Sequence, residues 1–195
     1  SDVTNPSTGK TWMDRNLGAT QVATSSTDAA SYGDLYQWGR GADGHQTRTS
    51  VPTTNLSNSD VPGNANFILS NANANFDWRN PANTSLWQGV SGVNNPCPSG
   101  YRLPTETEWV AERSSWSANT SVGAFASPLK LPMAGYRSHA DGSLGGVGSE
   151  GAYWSSTVSG TNSGFFFFFS PSSQYGVGFN PTNRAYGSSV RCIKD

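Results

Sequence analysis

Charge is scarce in this chain. Only 13 % of its 195 residues are charged, and twelve Lys plus Arg against thirteen Asp plus Glu leave a formal net charge of −1. That balance excludes the basic stripe a nucleic-acid partner would need. There are two cysteines, Cys97 and Cys192, and two histidines, His45 and His139. They are too scattered for a zinc site. No apolar run approaches the roughly 18 residues needed to cross a bilayer, so direct membrane insertion is not expected. The first residues, Ser1-Asp2-Val3-Thr4, carry no charged-then-apolar leader pattern, although a removed leader would leave the same start. Phosphate-binding glycine loops, Ser-centred elbows and His-Glu-x-x-His metal motifs are all missing, so the reading is non-enzymatic with no required cofactor.

Aromatic residues, by contrast, are plentiful. Seven Trp, seven Tyr and nine Phe stand among 22 Gly, and a chain so furnished is not disordered throughout. Its length suits one domain, 1–195. Residues 10–17 alternate as an early strand with Trp12 inward. Tyr32, Leu35, Tyr36 and Trp38 have the spacing of a short amphipathic helix over 28–38 that stops near Gly39. Residues 42–100 read as a long loop-rich insertion held by Phe67, Phe76, Trp78 and Trp87. Two Asn-Ala-Asn-Phe stretches, 64–67 and 73–76, echo each other there. Thr105 and Glu108 form a capping box for a second helix over 104–113. Short strands and tight turns follow: 152–157, 165–169, 176–179 and 189–193. The whole is an α+β domain with two short helices, a small antiparallel sheet and long loops.

Residues 164–169, Gly followed by five Phe, carry the most information. In a strand, alternate side chains face opposite sides. Either a second layer covers both sides, or two rings lie on a surface where apolar exposure means binding. Exposing two rings forgoes roughly 1.5–3 kcal/mol each. Nearby Tyr175 and Tyr186 either pack with hydroxyls outward or act as contact residues, and Gln174 offers a directional amide. The two cysteines are either free buried thiols or a bridge worth about 3–5 kcal/mol in chain entropy. Arg102, Arg191 and Glu108 read as local pairing groups, and Trp109 and Trp154 as core.

Four stretches taken in order resemble one family. They are Trp38-Gly39-Arg40, Cys97 through Trp109 (Cys-Pro-Ser-Gly-Tyr-Arg-Leu-Pro-Thr-Glu-Thr-Glu-Trp), Tyr153-Trp154-Ser155-Ser156-Thr157, and Ser189-Val190-Arg191-Cys192. Together they look like the Fibrobacter succinogenes major paralogous domain. That family is similar in fold to the C-type-lectin-like group, with the formylglycine-generating enzymes and the variable proteins of diversity-generating retroelements. The resemblance implies a single lectin-like domain of the formylglycine-generating-enzyme-like subclass. It further implies a fixed scaffold displaying diversified side chains from 164–188, with Phe165, Phe167 and Phe169 inward. Outward variable places would then be Phe166, Phe168, Gly176, Gly178, Asn180, Asn183 and Tyr186. Ser188 departs from the Phe common in relatives.

On this reading the partner is a protein or glycan on a target cell surface, and the chain works extracellularly, on a cell surface or a virion. The same aromatic face could instead join copies into an oligomer. The alternative is a non-diversified surface adhesin or carbohydrate-binding module of the same fold. Loop oxygens at Asp141, Ser143 and Glu150 form no recognisable calcium loop, so a structural calcium ion is left open without a defined ligand set.

Overall fold

The computed structural model describes residues 1–70, 76–160, 163–171 and 178–195, the side chains of 163–168 and 178–180 excepted. Strands β1 (Asp2–Thr4), β2 (Thr11–Met13), β3 (Tyr36–Gln37), β4 (Pro52–Thr53), β5 (Phe67–Ile68) and β6 (Tyr101–Arg102) precede helices α1 (Glu106–Ser114) and α2 (Ser121–Ala126). Strands β7 (Tyr136–Arg137), β8 (Leu144–Gly145), β9 (Gly151–Ser159), β10 (Ser163–Phe169), β11 (Gly178–Asn183), β12 (Gly187–Ser188) and β13 (Ile193–Lys194) complete the chain. The result is an α+β fold with two helices and mainly antiparallel sheets, in the orders β1-β2-β13-β6, β11-β10-β9 and β3-β12-β7-β8, plus the parallel pair β4-β5.

Helix α1 starts where the local chemistry requires. The Thr105 hydroxyl accepts from the Glu108 N–H, and the Glu108 carboxylate accepts from the Thr105 N–H. Each thereby satisfies a backbone donor the first turn leaves open. Glu108 also accepts two hydrogen bonds from Arg102. The expected helix over 28–38 is absent. A single 3-10 turn, Ala29–Ser31, gives way to β3. Gly33 explains the change: its φ is +68°, and a Cβ there would lie 2.2 Å from the Leu17 carbonyl oxygen. The chain must leave helical geometry at that point. The second helix is instead α2, which the sequence reading did not foresee.

Strand β9 divides the interior. Its first six residues are buried on both sides. Tyr153 enters a cluster with Trp12, Trp109, Trp116, Leu131, Phe169 and Ile193. Trp154, the next residue, enters a second with Trp38, Trp78, Trp87, Leu103 and Val190. Buried indoles need acceptors, and backbone carbonyls supply them: Trp154 Nε1 donates to Tyr36 O, Trp38 Nε1 to Ser155 O, Trp78 Nε1 to Trp38 O, and Trp109 Nε1 to Trp154 O. The tryptophans thus tie β9 to its surroundings as well as filling space.

The scarce cations are spent inside. Arg40, Arg137, Arg184 and Arg191 are all at most 3 % exposed. Arg191 donates to Asn16 Oδ1 and to the Met13 and Leu129 carbonyls. Arg137 lies 4.2 Å over the Phe67 ring, and Arg184 4.3 Å over Trp38. A planar guanidinium can serve several carbonyls and an aromatic face at once. Cys97 and Cys192 form a disulfide, so neither is a free thiol.

Two buried acid–base groups oppose each other in pH. His45 accepts the Gln37 N–H on Nε2, and its Nδ1 lies 2.6 Å from Asp43 Oδ1. Burial holds the imidazole neutral and pushes its pKa down to about 4. A folded value below the unfolded one means stability is complete above about pH 6.5 and lost as pH falls toward 4, by about 3 kcal/mol. Asp77 behaves oppositely. Burial outweighs its 3.4 Å pairing with Arg184 and raises it to about 6. Its ionisation therefore lowers stability by about 3 kcal/mol as pH rises from about 4 to 6. Denaturant unfolding across pH 4–6.5 should show the two nearly cancelling. His45→Gln should become relatively more stable toward acid, and a pH profile parallel to wild type would refute the assignment.

Candidate functional site

The hairpin β10–β11 carries the expected binding segment, and β9 supports it. Phe165 lies across from Pro181, Phe166 from Asn180, Phe167 from Phe179, and Phe168 from Gly178. On the other edge Phe166 pairs with Trp154, Phe167 with Tyr153, Phe168 with Ala152 and Phe169 with Gly151. The register shifts between Gly164 and Phe166. That bulge interrupts the simple alternation assumed through Phe165, since a bulge inserts a residue unmatched on the partner strand.

Phe169 is inward as expected. It is fully buried, stacked on Tyr153 at 5.8 Å and edge-on to Trp116 at 5.8 Å. Gly151 makes room for it, because a Cβ there would come within 2.3 Å of the Phe169 ring. The side chains of Phe166, Phe168 and Asn180, and all of Gln174, Tyr175 and Gly176, lie outside the described residues. Gly178 is the first residue of β11.

Asn183 differs from the outward place expected of it. It is 9 % exposed. Its Oδ1 accepts the Ala185 N–H at 2.9 Å, and its Nδ2 faces Ser70 Oγ at 3.0 Å and His139 Nδ1 at 3.1 Å. These partners come from the middle of the insertion and from the loop between β7 and β8, which is why a local reading could not bury it. Tyr186 is half-buried and meets the rings of His139 at 4.6 Å and Tyr136 at 5.9 Å, both edge-to-face.

The insertion reaches this region through Ser70 to Asn183 and through Asp77 and Asn83 to Arg184. Phe67, Trp78 and Trp87 are buried as expected, but Phe76 is 53 % exposed at φ +54°. That is a left-handed backbone, which aromatic residues rarely adopt. Phe76 therefore does not hold the insertion down. It is an exposed ring directly before Asp77, and sequence reasoning missed it.

Ser70 Oγ lies 2.9 Å from His139 Nδ1, but Ser70 is only 2 % exposed. Asp141 Oδ1 accepts from the Ser143 N–H and hydroxyl within its own turn. Among the described residues no group of three or more His, Cys, Asp or Glu could hold a metal ion, and no helix is long and apolar enough to cross a membrane. No protein-family model, curated protein or solved structure matches this chain.

Proposed function

We propose that this chain is a non-enzymatic recognition module of C-type-lectin-like fold, the target-binding variable protein of a diversity-generating retroelement. The observation that carries the reading is the setting of the β10–β11 hairpin. It stands at one edge of its sheet, with β11 outermost. Its joined end is held by the buried Phe169 and its open end by Asn183 and Arg184. A frame fixed at both ends can carry varied side chains without losing its course, because surface substitutions change stability little. Phe166, Phe168, Gln174, Tyr175, Gly176, Gly178, Asn180 and Tyr186 are the proposed diversified contacts, with Phe76 as a fixed neighbour. Rigid aromatic contact area loses little side-chain entropy on binding. With so little charge, specificity comes from shape and hydrogen bonding, and the partner is a protein or glycan on a cell surface.

Deep sequencing of this segment in one natural population is the direct test. Substitutions should concentrate at codons between 164 and 188 that carry adenine in the template copy. Changes spread evenly along the chain would overturn the retroelement reading. In binding of labelled protein to intact cells, Phe166→Ala with Phe168→Ala should abolish saturation while leaving the far-ultraviolet spectrum intact. Unchanged binding would remove both rings from the site.

A further inference from the structure

Four residues from three separated parts of the chain converge at the C-terminal end of β11. Ser70 follows β5, His139 lies in the loop after β7, and Asn183 and Ala185 close the hairpin. The Asn183 carboxamide is the group whose orientation is fixed. Ala185 N–H donates to Asn183 Oδ1, which fixes the carboxamide and turns its NH2 toward Ser70 Oγ and His139 Nδ1. Ser70 Oγ lies 2.9 Å from Nδ1 and 3.4 Å from Asn183 Oδ1, so its hydroxyl can donate to either. The Asn183 NH2 can only donate, so Nδ1 accepts from it and the imidazole is neutral with its proton on Nε2.

We propose that Ser70 and His139 are positioning residues for the proposed binding segment, forming with Asn183 a clasp that opens when His139 takes up a proton at Nδ1. The protonated ring presents Nδ1–H to the Asn183 NH2, donor against donor, so Asn183 loses that partner. Ser70 itself stays, since its N–H donates to the His139 carbonyl whatever the ring's charge. Movement is therefore directed to Asn183 and to Tyr186, whose ring rests on His139.

The charges around the ring agree with a clasp that is shut at neutral pH. Burial disfavours the imidazolium, and Asp141 in the same loop partly opposes that, leaving the His139 pKa below its ordinary value. Arg137 in β7 is turned away to Thr47, Ser50 and Gly142. Arg184 is directed to Asp77 and Asn83. Among the described residues, the Tyr186 ring rests on His139 and meets Tyr136 in turn. Opening therefore occurs below about pH 6.5.

The effect on binding rests on the proposed function, but the clasp can be tested without a ligand. In NMR titration of the intact chain, the Ala185 amide and Asn183 side-chain NH2 signals should move with the same midpoint as the His139 ring. Asn183→Asp supplies an acceptor in place of the NH2 and should raise that midpoint by at least one pH unit while keeping the bond from Ala185. Midpoints that do not coincide, or a midpoint unmoved by Asn183→Asp, would overturn the clasp. If the midpoints coincide but cell binding does not weaken across them, the clasp stands and the binding segment is misassigned.

Discussion

Replacing Cys97 and Cys192 together by alanine should lower the free energy of unfolding by about 4–5 kcal/mol. The bridge spans 95 residues, and closing a loop of that length removes about that much chain entropy from the unfolded state. Native contacts hold the two ends together independently, since β6 and β13, which follow the two cysteines, pair through Ile193 and Arg102. The loss should therefore fall on the unfolded ensemble, with little change in the folded state. Urea unfolding should show a lower midpoint for the double variant and a nearly unchanged native spectrum. Equal midpoints would mean that the unfolded chain already keeps residues 97 and 192 close. The consequence for function is direct: α1, α2, β9, β10 and β11 all lie inside the closed loop. Reduction should therefore speed exchange of the amides that open only by global unfolding, those of the loop's buried strands among them.

What the sequence made legible is what local chemistry decides. The capping box at Thr105 needs only four residues to be recognised, and α1 begins there. Burial of Trp12, Trp109 and Trp154 follows from their size and from alternating neighbours. Where the reading failed, distant partners decide. Phe67 and Phe76 end the same four-residue motif, yet one is fully buried and the other is mostly exposed. The difference lies in what each loop meets: Phe67 sits under the Arg137 guanidinium, 70 positions on. Helix α2 is six residues containing Gly and Val, too short to form alone. It is held by the Ser121 N–H on the Ser170 carbonyl and by the buried Ala124. Tyr32 to Trp38 keep helical spacing, but Trp38 N–H donates to the Arg184 carbonyl across the molecule. The candidate site follows the same division. Its strands could be read from the phenylalanine run, whereas the interior role of Asn183 depends on residues 113 and 44 positions away.

Asp77→Asn should leave stability at pH 7 within about 2 kcal/mol of wild type, because the cost of stranding a buried guanidinium is offset by removing a carboxylate whose ionisation costs about 3 kcal/mol. Asp77 is 2 % exposed and Arg184 is fully buried. Asp77 Oδ1 accepts the Arg79 N–H, and Oδ2 accepts from Arg184 at 3.4 Å. Asparagine keeps the first bond but turns an NH2 toward the guanidinium. The opposite truncation, Arg184→Met, removes the charge that cannot be neutralised. A carboxyl already raised to about 6 by burial can take up a proton and remain neutral, an escape closed to Arg184, because guanidinium holds its proton. In the Arg184→Met background, Asp77→Asn should then be almost without effect. Urea unfolding of the four proteins gives the coupling energy. Equal losses for Asp77→Asn in both backgrounds would show that the two charges act independently. The asymmetry matters for the proposed recognition role because the pair joins the insertion to the end of β11. An insertion released from Arg184 would leave the open end of the hairpin held through Asn183 to Ser70 and His139, and a binding face so loosened would have to order itself more on each encounter.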